Sequence, residues 1–499
     1  MRRKSLLLIT VDCLRADHVG FCGYDRGTTP FLDSLAATSF VLPRAIVAGA
    51  PTYFSFPAIM ASRYPLALGR DVLGIAPGEA TLATSLQAAG YATAAFLAGN
   101  PYLCPRLGYH QGFTTFRDFL SMPLPENTDA SKPGRFTRLN QAVEKAARKS
   151  ESASAAYNEL YFRYCQWRVS RRAPSMDELR RYPAADVMVD QARSWLSGVR
   201  DQPFFLWLHL MDPHHPYFPP EQALSELGCQ DMDADRAAFV NALWSREEVS
   251  RKRLLTHRKE IVSLYDAGVY WADKQISRLV TALKHLRRWD DTVLTVTADH
   301  GEELLESEAR YHTPTNLSER LIHVPLLVRV PGESGVRQPD VPFSLIHLAP
   351  TLLEILQVVQ PPTFQGKGFW TQMQAGQSDP TPVIVECVYG CQNAFSREHR
   401  LGPRLLAVRD VRYKLIINFH QQTELLFDLA NDPSESRPLD DNICKTEREH
   451  LLRAALQHLS SAKAKKDPEL RLRARIREIQ QLTMRIKQRE GELAMATAS

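Results

Sequence analysis

Four groups of residues in this sequence could do chemistry. Asp12 ends the apolar run Ser5–Val11, and Asp299-His300 ends the run Thr292–Thr297. Together they offer two carboxylates and an imidazole. That donor set suits a divalent cation such as Zn or Mn, whereas an oxygen-only set would favour Ca or Mg more. Taken singly, Asp12 reads as a turn or cap aspartate, and Asp299 as a cap with Glu302 and Glu303 in the first helical turn. Thr52 sits where a small, Pro-bearing loop, Gly49-Ala-Pro-Thr52, enters an apolar helical run. A helix N-terminus favours an anion. A metal-bound hydroxyl there could lose its proton near neutral pH and attack phosphorus or sulfur. The simpler role for Thr52 is the helix N-cap, with Ser55 as the alternative cap. In Met211-Asp-Pro-His-His-Pro-Tyr217, the side chains of Asp212, His214 and His215 could bind a second metal or the oxygens of an anionic ester. The alternative is a turn of solvated imidazoles. His312, on an expected loop, is a further candidate, and Arg15 is either an anion contact or a surface ion pair.

The elements that must position these groups are short. Ser5–Val11, Phe204–Leu210, Thr292–Thr297 and Pro325–Val330 are almost wholly apolar. Such runs suit strands of a parallel sheet covered by helices on both faces. Amphipathic stretches alternate with them at Thr29–Thr38, Thr81–Ala89, Ala185–Val199 and Ile261–Leu286. The alternation predicts an α/β doubly wound, mostly parallel sheet. In such sheets ligands bind beyond the carboxyl ends of the strands, so one rule brings three distant clusters to one rim. Residues 121–183 break the pattern and read as a helical, basic insertion. Strands at Pro382–Glu386, Arg404–Val408, Tyr413–Ile417 and Leu425–Asp428 predict a small C-terminal α+β subdomain. The expected domains are 1–345 with the insertion, 346–440, and a helical basic tail over 441–499.

The chain has 499 residues with 44% hydrophobic and 23% charged. This is ordinary globular composition and excludes a collagen-like, disordered or disulfide-stapled chain. No apolar run approaches the ~20 residues of a membrane-spanning helix. The first apolar run is shorter than a secretory core and is followed by charges, which predicts a buried strand in a cytoplasmic protein. Eight scattered cysteines, none in a CxxC pair, argue against a zinc ribbon. The net charge of +5 divides unevenly. Residues 131–182 carry twelve Lys/Arg against five Asp/Glu, and residues 463–499 carry ten against five. The remaining body is acidic, so no nucleic-acid partner is expected. The basic segments are either solvated helical faces or peripheral contacts with an anionic membrane surface or a polyanionic substrate.

In this order the clusters resemble the sulfatase branch of the alkaline phosphatase superfamily. The resemblance rests on Val11–Asp17 with Thr28–Leu35, Thr81–Phe96, His209–Tyr217, Thr297–Glu303, Val324–Gly332, Leu348–Glu354, Arg412–Ile416 and Leu426–Pro433. It covers about residues 5–118 and 186–440. It implies an alkaline-phosphatase-like fold and a metal-dependent hydrolase or transferase of sulfate or phosphate esters. Sulfatases of the family convert a Cys or Ser in Cys/Ser-x-Pro-x-Arg to formylglycine. Here the stretch is Thr52-Tyr-Phe-Ser-Phe56, with Thr for Cys, Phe54 for Pro and Phe56 for Arg. The resemblance therefore implies the threonine nucleophile of the superfamily's phosphodiesterases and phosphoglycerol or phosphoethanolamine transferases. Asp12, Thr52, Asp299 and His300 match that metal set residue by residue. His214 and His312 are then expected to bind non-bridging oxygens or to protonate the leaving group. Two other readings stand beside this one: a sulfuric ester hydrolase working without formylglycine, and an inactive binding scaffold. The oligomeric state and the leaving group are not specified.

Overall fold

The computed structural model describes residues 3–120, 175–199, 202–461 and 476–489. The expected insertion therefore lies outside the described residues over 121–174. The central sheet has seven strands: β1 (Ser5–Val11), β2 (Phe40–Val41), β3 (Ala92–Leu97), β4 (Thr115–Arg117), β5 (Phe204–Leu210), β6 (Thr292–Ala298) and β7 (Leu326–Arg329). Their order across the sheet is β2-β7-β6-β1-β5-β3-β4. Every residue of β1, β5 and β6 is buried, as apolar runs covered on both faces require. β1 pairs parallel with both β5 and β6, with Val11 opposite Leu210 and Ala298. That register sets Asp12, Met211 and Asp299 level at the carboxyl rim.

The run ending at Val330 was expected among parallel strands. It instead pairs antiparallel with β6. A parallel return needs a crossover of a dozen or more residues, usually a helix. The chain after β6 instead folds at the rim and comes back beside the strand it left. The first helical turn expected at Glu302 and Glu303 is also absent. Glu303–Leu304 pairs antiparallel with Arg310–Tyr311, and this small hairpin carries His312 back over the rim.

The C-terminal region is a four-stranded antiparallel meander: β8 (Val383–Val388), β9 (Arg404–Arg409), β10 (Tyr413–Asn418) and β11 (Thr423–Asp428). The helix Lys445–Ser461 packs on it through Leu451, Leu452, Ala455 and Leu459. The helical segment 476–489 adds Leu482 and Ile486 to the same core. The helical residues 445–461 and 476–489 therefore share one core with the meander. Over 476–489 the basic segment is an amphipathic helix that buries Leu482 and Ile486 and leaves most of its other residues at the surface. Leu482 and Ile486 lie four apart on one helix face. Glu478 accepts from Arg70 and Arg404, while Arg485 and Arg489 pair with Glu424. Among the described residues, no helix is long and apolar enough to cross a membrane.

Glu386 locks the meander to the main domain. It is 1% exposed. Its carboxylate accepts from the Leu66 amide at 3.0 Å, from His458 at 3.0 Å, and from Arg404. Burial alone would raise its pKa; the charge of Arg404, then His458, reverses this and holds it at about 2. The folded value lies below the ordinary 4.5. The stabilisation is therefore complete above pH 4.5 and is lost as the pH falls toward 2. It amounts to something on the order of 3 kcal/mol. Glu386→Gln is expected to lower the melting temperature at pH 7, with the gap to wild type narrowing below pH 4.5. A gap that stays constant to pH 3 would contradict this account.

Candidate active site

The site is built at the rim from the ends of β1 and β6, a helix that starts at Thr52, and the hairpin carrying His312. Thr52 is the first residue of the helix Thr52–Ala61, and Pro51 rather than Thr52 occupies the cap. The Thr52 hydroxyl makes no cap bond and is free to face the rim. Its Oγ1 lies 3.1 Å from His300 Nε2. The helix N-terminus behind it favours negative charge at this point. The loop before Thr52 is held by close approach: the Glu386 amide donates to Ala48 O at 3.0 Å. A Cβ on Gly49 would meet Phe54 O at 2.7 Å and Glu386 O at 2.8 Å. Only glycine allows the loop to lie so close to the meander.

Asp12, Asp299 and His300 are fully buried. Their ligand atoms lie within 4.8 Å of one another. His300 Nδ1 donates to the Gly301 carbonyl at 2.8 Å, which turns the Nε2 lone pair toward Thr52, Asp12 and Asp299. Burial, then the charge of His312, push the His300 pKa down to about 4. Asp12 Oδ2 accepts from Asn100 at 2.9 Å and is bonded to His209 Nε2 at 3.1 Å. Burial would raise Asp12, but the surrounding imidazoles, His214 first and then His209 through its hydrogen bond, hold it well below the carboxylate range. Burial and the Asp12 charge push Asp299 upward. Asp299 Oδ2 is buried with no hydrogen-bond partner. An orphaned carboxylate oxygen, a second carboxylate and a neutral imidazole lone pair fit a divalent cation, which would satisfy all three.

His312, on the hairpin, is bonded through Nδ1 to Glu302 Oε2 at 2.8 Å. Burial would lower His312, but the Glu302 charge outweighs it and the pKa rises. Glu302 also accepts from the Tyr217 hydroxyl at 2.8 Å. The rings of His300, His312 and His214 stand in a row, with centroids 4.6 and 5.0 Å apart. His214 and His312 form the partly exposed end of the row. Burial lowers the pKa of His214. Its Nδ1 is bonded to the Tyr182 hydroxyl at 2.9 Å.

Three of the expected site residues stand elsewhere. Asp212 Oδ1 accepts the Ala185 amide at 3.2 Å, at the start of the helix Ala185–Gly198. The cap residue there, Ala184, has no side chain to do this. His215 packs edge-on against Tyr311 and Tyr217, and burial lowers its pKa to about 3. Neither joins a metal-ligating cluster among the described residues. Arg15 is 2% exposed, so it is no surface pair. Its guanidinium is held by Asp17 at 2.7 Å, Glu306 at 2.6 Å and the Glu302 carbonyl. Phe56 is buried against Trp207 and His209.

The family model for sulfatases matches residues 4–358, more than half of the chain. The chain belongs to the sulfatase family. The model for the C-terminal part of N-sulphoglucosamine sulphohydrolase matches residues 308–462. The uncharacterized sulfatase YidJ of Escherichia coli is 29% identical over 276 residues, 52% of this chain and 50% of that protein. The chain thus spans about half the length of this curated relative. The multifunctional alkaline phosphatase superfamily protein PehA of Trinickia caryophylli is 22% identical over 493 residues, 87% of this chain and 91% of that one. The fold is that of the phosphonate monoester hydrolase of Agrobacterium radiobacter, with a TM-score of 0.63 over 93% of this chain and 96% of that one, at 19% identity.

A ligand that binds only the folded protein stabilises it by about 2.7 kcal/mol at a hundred times its dissociation constant. Zinc or manganese is expected to raise the melting temperature of the metal-stripped protein. Asp299→Asn is expected to erase that rise without lowering the melting point of the stripped form, because burial and the Asp12 charge already disfavour an ionised carboxyl at this position. A stripped variant that melts well below stripped wild type would show that Asp299 serves the fold instead.

Proposed function

We propose that the protein is a metal-dependent hydrolase of anionic esters, with phosphate or phosphonate esters favoured, in which Thr52 is the nucleophile. The observation that carries this is the Thr52 hydroxyl, 3.1 Å from His300 Nε2 at a helix N-terminus and beside two buried carboxylates. A divalent cation held by Asp12, Thr52, Asp299 and His300 would release the hydroxyl proton and offset charge on the group being transferred. Thr52 Oγ1 then attacks in line, its bond to phosphorus forming as the bond to the leaving oxygen breaks. His312, charged through Glu302, gives its proton to that oxygen. His214, uncharged and oriented by Tyr182, binds a non-bridging oxygen. Water resolves the phosphothreonine, with His312 taking back a proton.

Sulfate esters are the second reading, favoured by family membership and the sulfatase relatives. Against it stand Thr52 and Phe56, which remove the formylglycine motif. The test is a metal-supplemented screen over phosphate monoesters, phosphodiesters, phosphonates and sulfate monoesters. Turnover of sulfate esters alone would overturn the preference for phosphorus.

A further inference from the structure

Cys13 lies between the cation ligand Asp12 and the structural arginine at 15, and nothing above gives it a role. It is fully buried, yet it does not join the apolar core. Its backbone φ is +60°, a left-handed conformation that residues with a side chain rarely adopt. Two hydrogen bonds fix this corner: Tyr265 donates to Cys13 O at 2.7 Å and accepts from the Arg15 amide at 3.0 Å. The turn aims Sγ into the ring of ligands, 3.1 Å from Asp12 Oδ1 and 3.5 Å from His312 Nδ1. Cys13 completes two further clusters whose ligand atoms lie within 4.8 Å of one another. One is Cys13, His300 and His312; the other is Asp12, Cys13 and His214. The orphaned Asp299 oxygen belongs to the cluster that shares His300 and Asp12 with these.

We propose that Cys13 is a sulfur ligand of this centre, and that the centre therefore selects a thiophilic divalent cation of the zinc class over calcium or magnesium. The inference rests on the metal-dependent reading above and deepens it. Asp12, Asp299 and Thr52 supply oxygens that calcium and magnesium accept; sulfur is the donor those hard cations disfavour. The alternative role for the thiol is that of a hydrogen-bond donor to the buried carboxylates of Asp12 and Glu302, with no bond to a metal. Oxygen in place of sulfur preserves that donation and removes the soft ligand, so Cys13→Ser separates the two.

The experiment is cobalt(II) substitution of the metal-stripped, full-length protein. Wild type is expected to show an intense near-ultraviolet sulfur-to-cobalt charge-transfer band together with the visible ligand-field bands. Cys13→Ser and Cys13→Ala are expected to lose the first and keep the second, while Thr52→Ala keeps the charge-transfer band. Competition titrations should show the preference for zinc over calcium falling at least about tenfold in Cys13→Ser, since even outer-shell changes cost that much. Stoichiometric cobalt without the charge-transfer band in wild type overturns the role of Cys13 and leaves the metal-dependent reading standing. Failure of wild type to bind cobalt, zinc or manganese overturns both. Either cysteine variant suffices if the other does not fold.

Discussion

Thr52→Ala is expected to lower kcat/KM by about ten-thousand-fold or more, with the melting temperature within a few degrees of wild type. The size follows from the role: loss of a nucleophile removes the first bond-making step, not one of several stabilising contacts. The small structural effect follows from the position. The Thr52 side chain makes no cap bond, and alanine suits a helix as well as threonine does. Its side-chain polar contacts are with His300 and Asp299, both members of the proposed metal set. Thr52→Ser keeps the hydroxyl and is expected to retain turnover within about a hundredfold. Trapping during turnover of a phosphorus ester should label wild type and Thr52→Ser covalently at residue 52, and leave the alanine variant unlabelled. Retention of turnover in Thr52→Ala would exclude the proposed nucleophile, whatever the substrate.

Much of this site can be read from the sequence because strand ends announce themselves. Three runs apolar on both faces lead into ionisable clusters, two of them directly and the third one residue later at Asp212, and the register Val11–Leu210 and Val11–Ala298 brings these clusters to one rim. Legibility ends where chemistry and structure use the same residue types. Asp212 and Arg15 are ionisable residues at strand ends, like Asp12, yet one serves a helix terminus 27 positions away and the other a buried ion-pair cluster. Nothing local distinguishes them, because their partners come from other elements. The reverse holds for His209 and Asn100. His209 sits inside a strand buried on both faces, where alternation gives no sign of which side meets the site. It is recognisable only once β5 is laid beside β1, opposite Thr10. Cys13 reads as one more scattered thiol until the turn at φ +60° aims it inward. The hairpin that delivers His312 consists of two-residue strands, too short to leave a periodic trace.

That hairpin is the basis of the second large effect. His312→Ala is expected to cost about a thousandfold in kcat for esters with poor, alkoxide leaving groups, and tenfold or less for activated aryl esters. General acid catalysis is worth roughly 10²–10⁴-fold, and only where the leaving oxygen needs the proton. His312 is equipped for this. Glu302 is fully buried and is held at about 2: burial would raise it, but the charge and hydrogen bond of His312 bring it down. A carboxylate so fixed favours the protonated form of His312 and orients the ring through Nδ1, leaving the other ring nitrogen to donate. His214 lacks such a partner. Burial keeps it neutral, and it is bonded to Tyr182. His214→Ala should therefore lower all esters by a similar factor and raise KM, whereas the loss in His312→Ala should grow steeply with leaving-group basicity. Glu302→Gln should resemble His312→Ala in this dependence, at a smaller amplitude, since it removes the charge that sustains the acid while leaving the ring in place. A loss in His312→Ala that is uniform across leaving groups would assign His312 to oxygen binding and return the acid to another group.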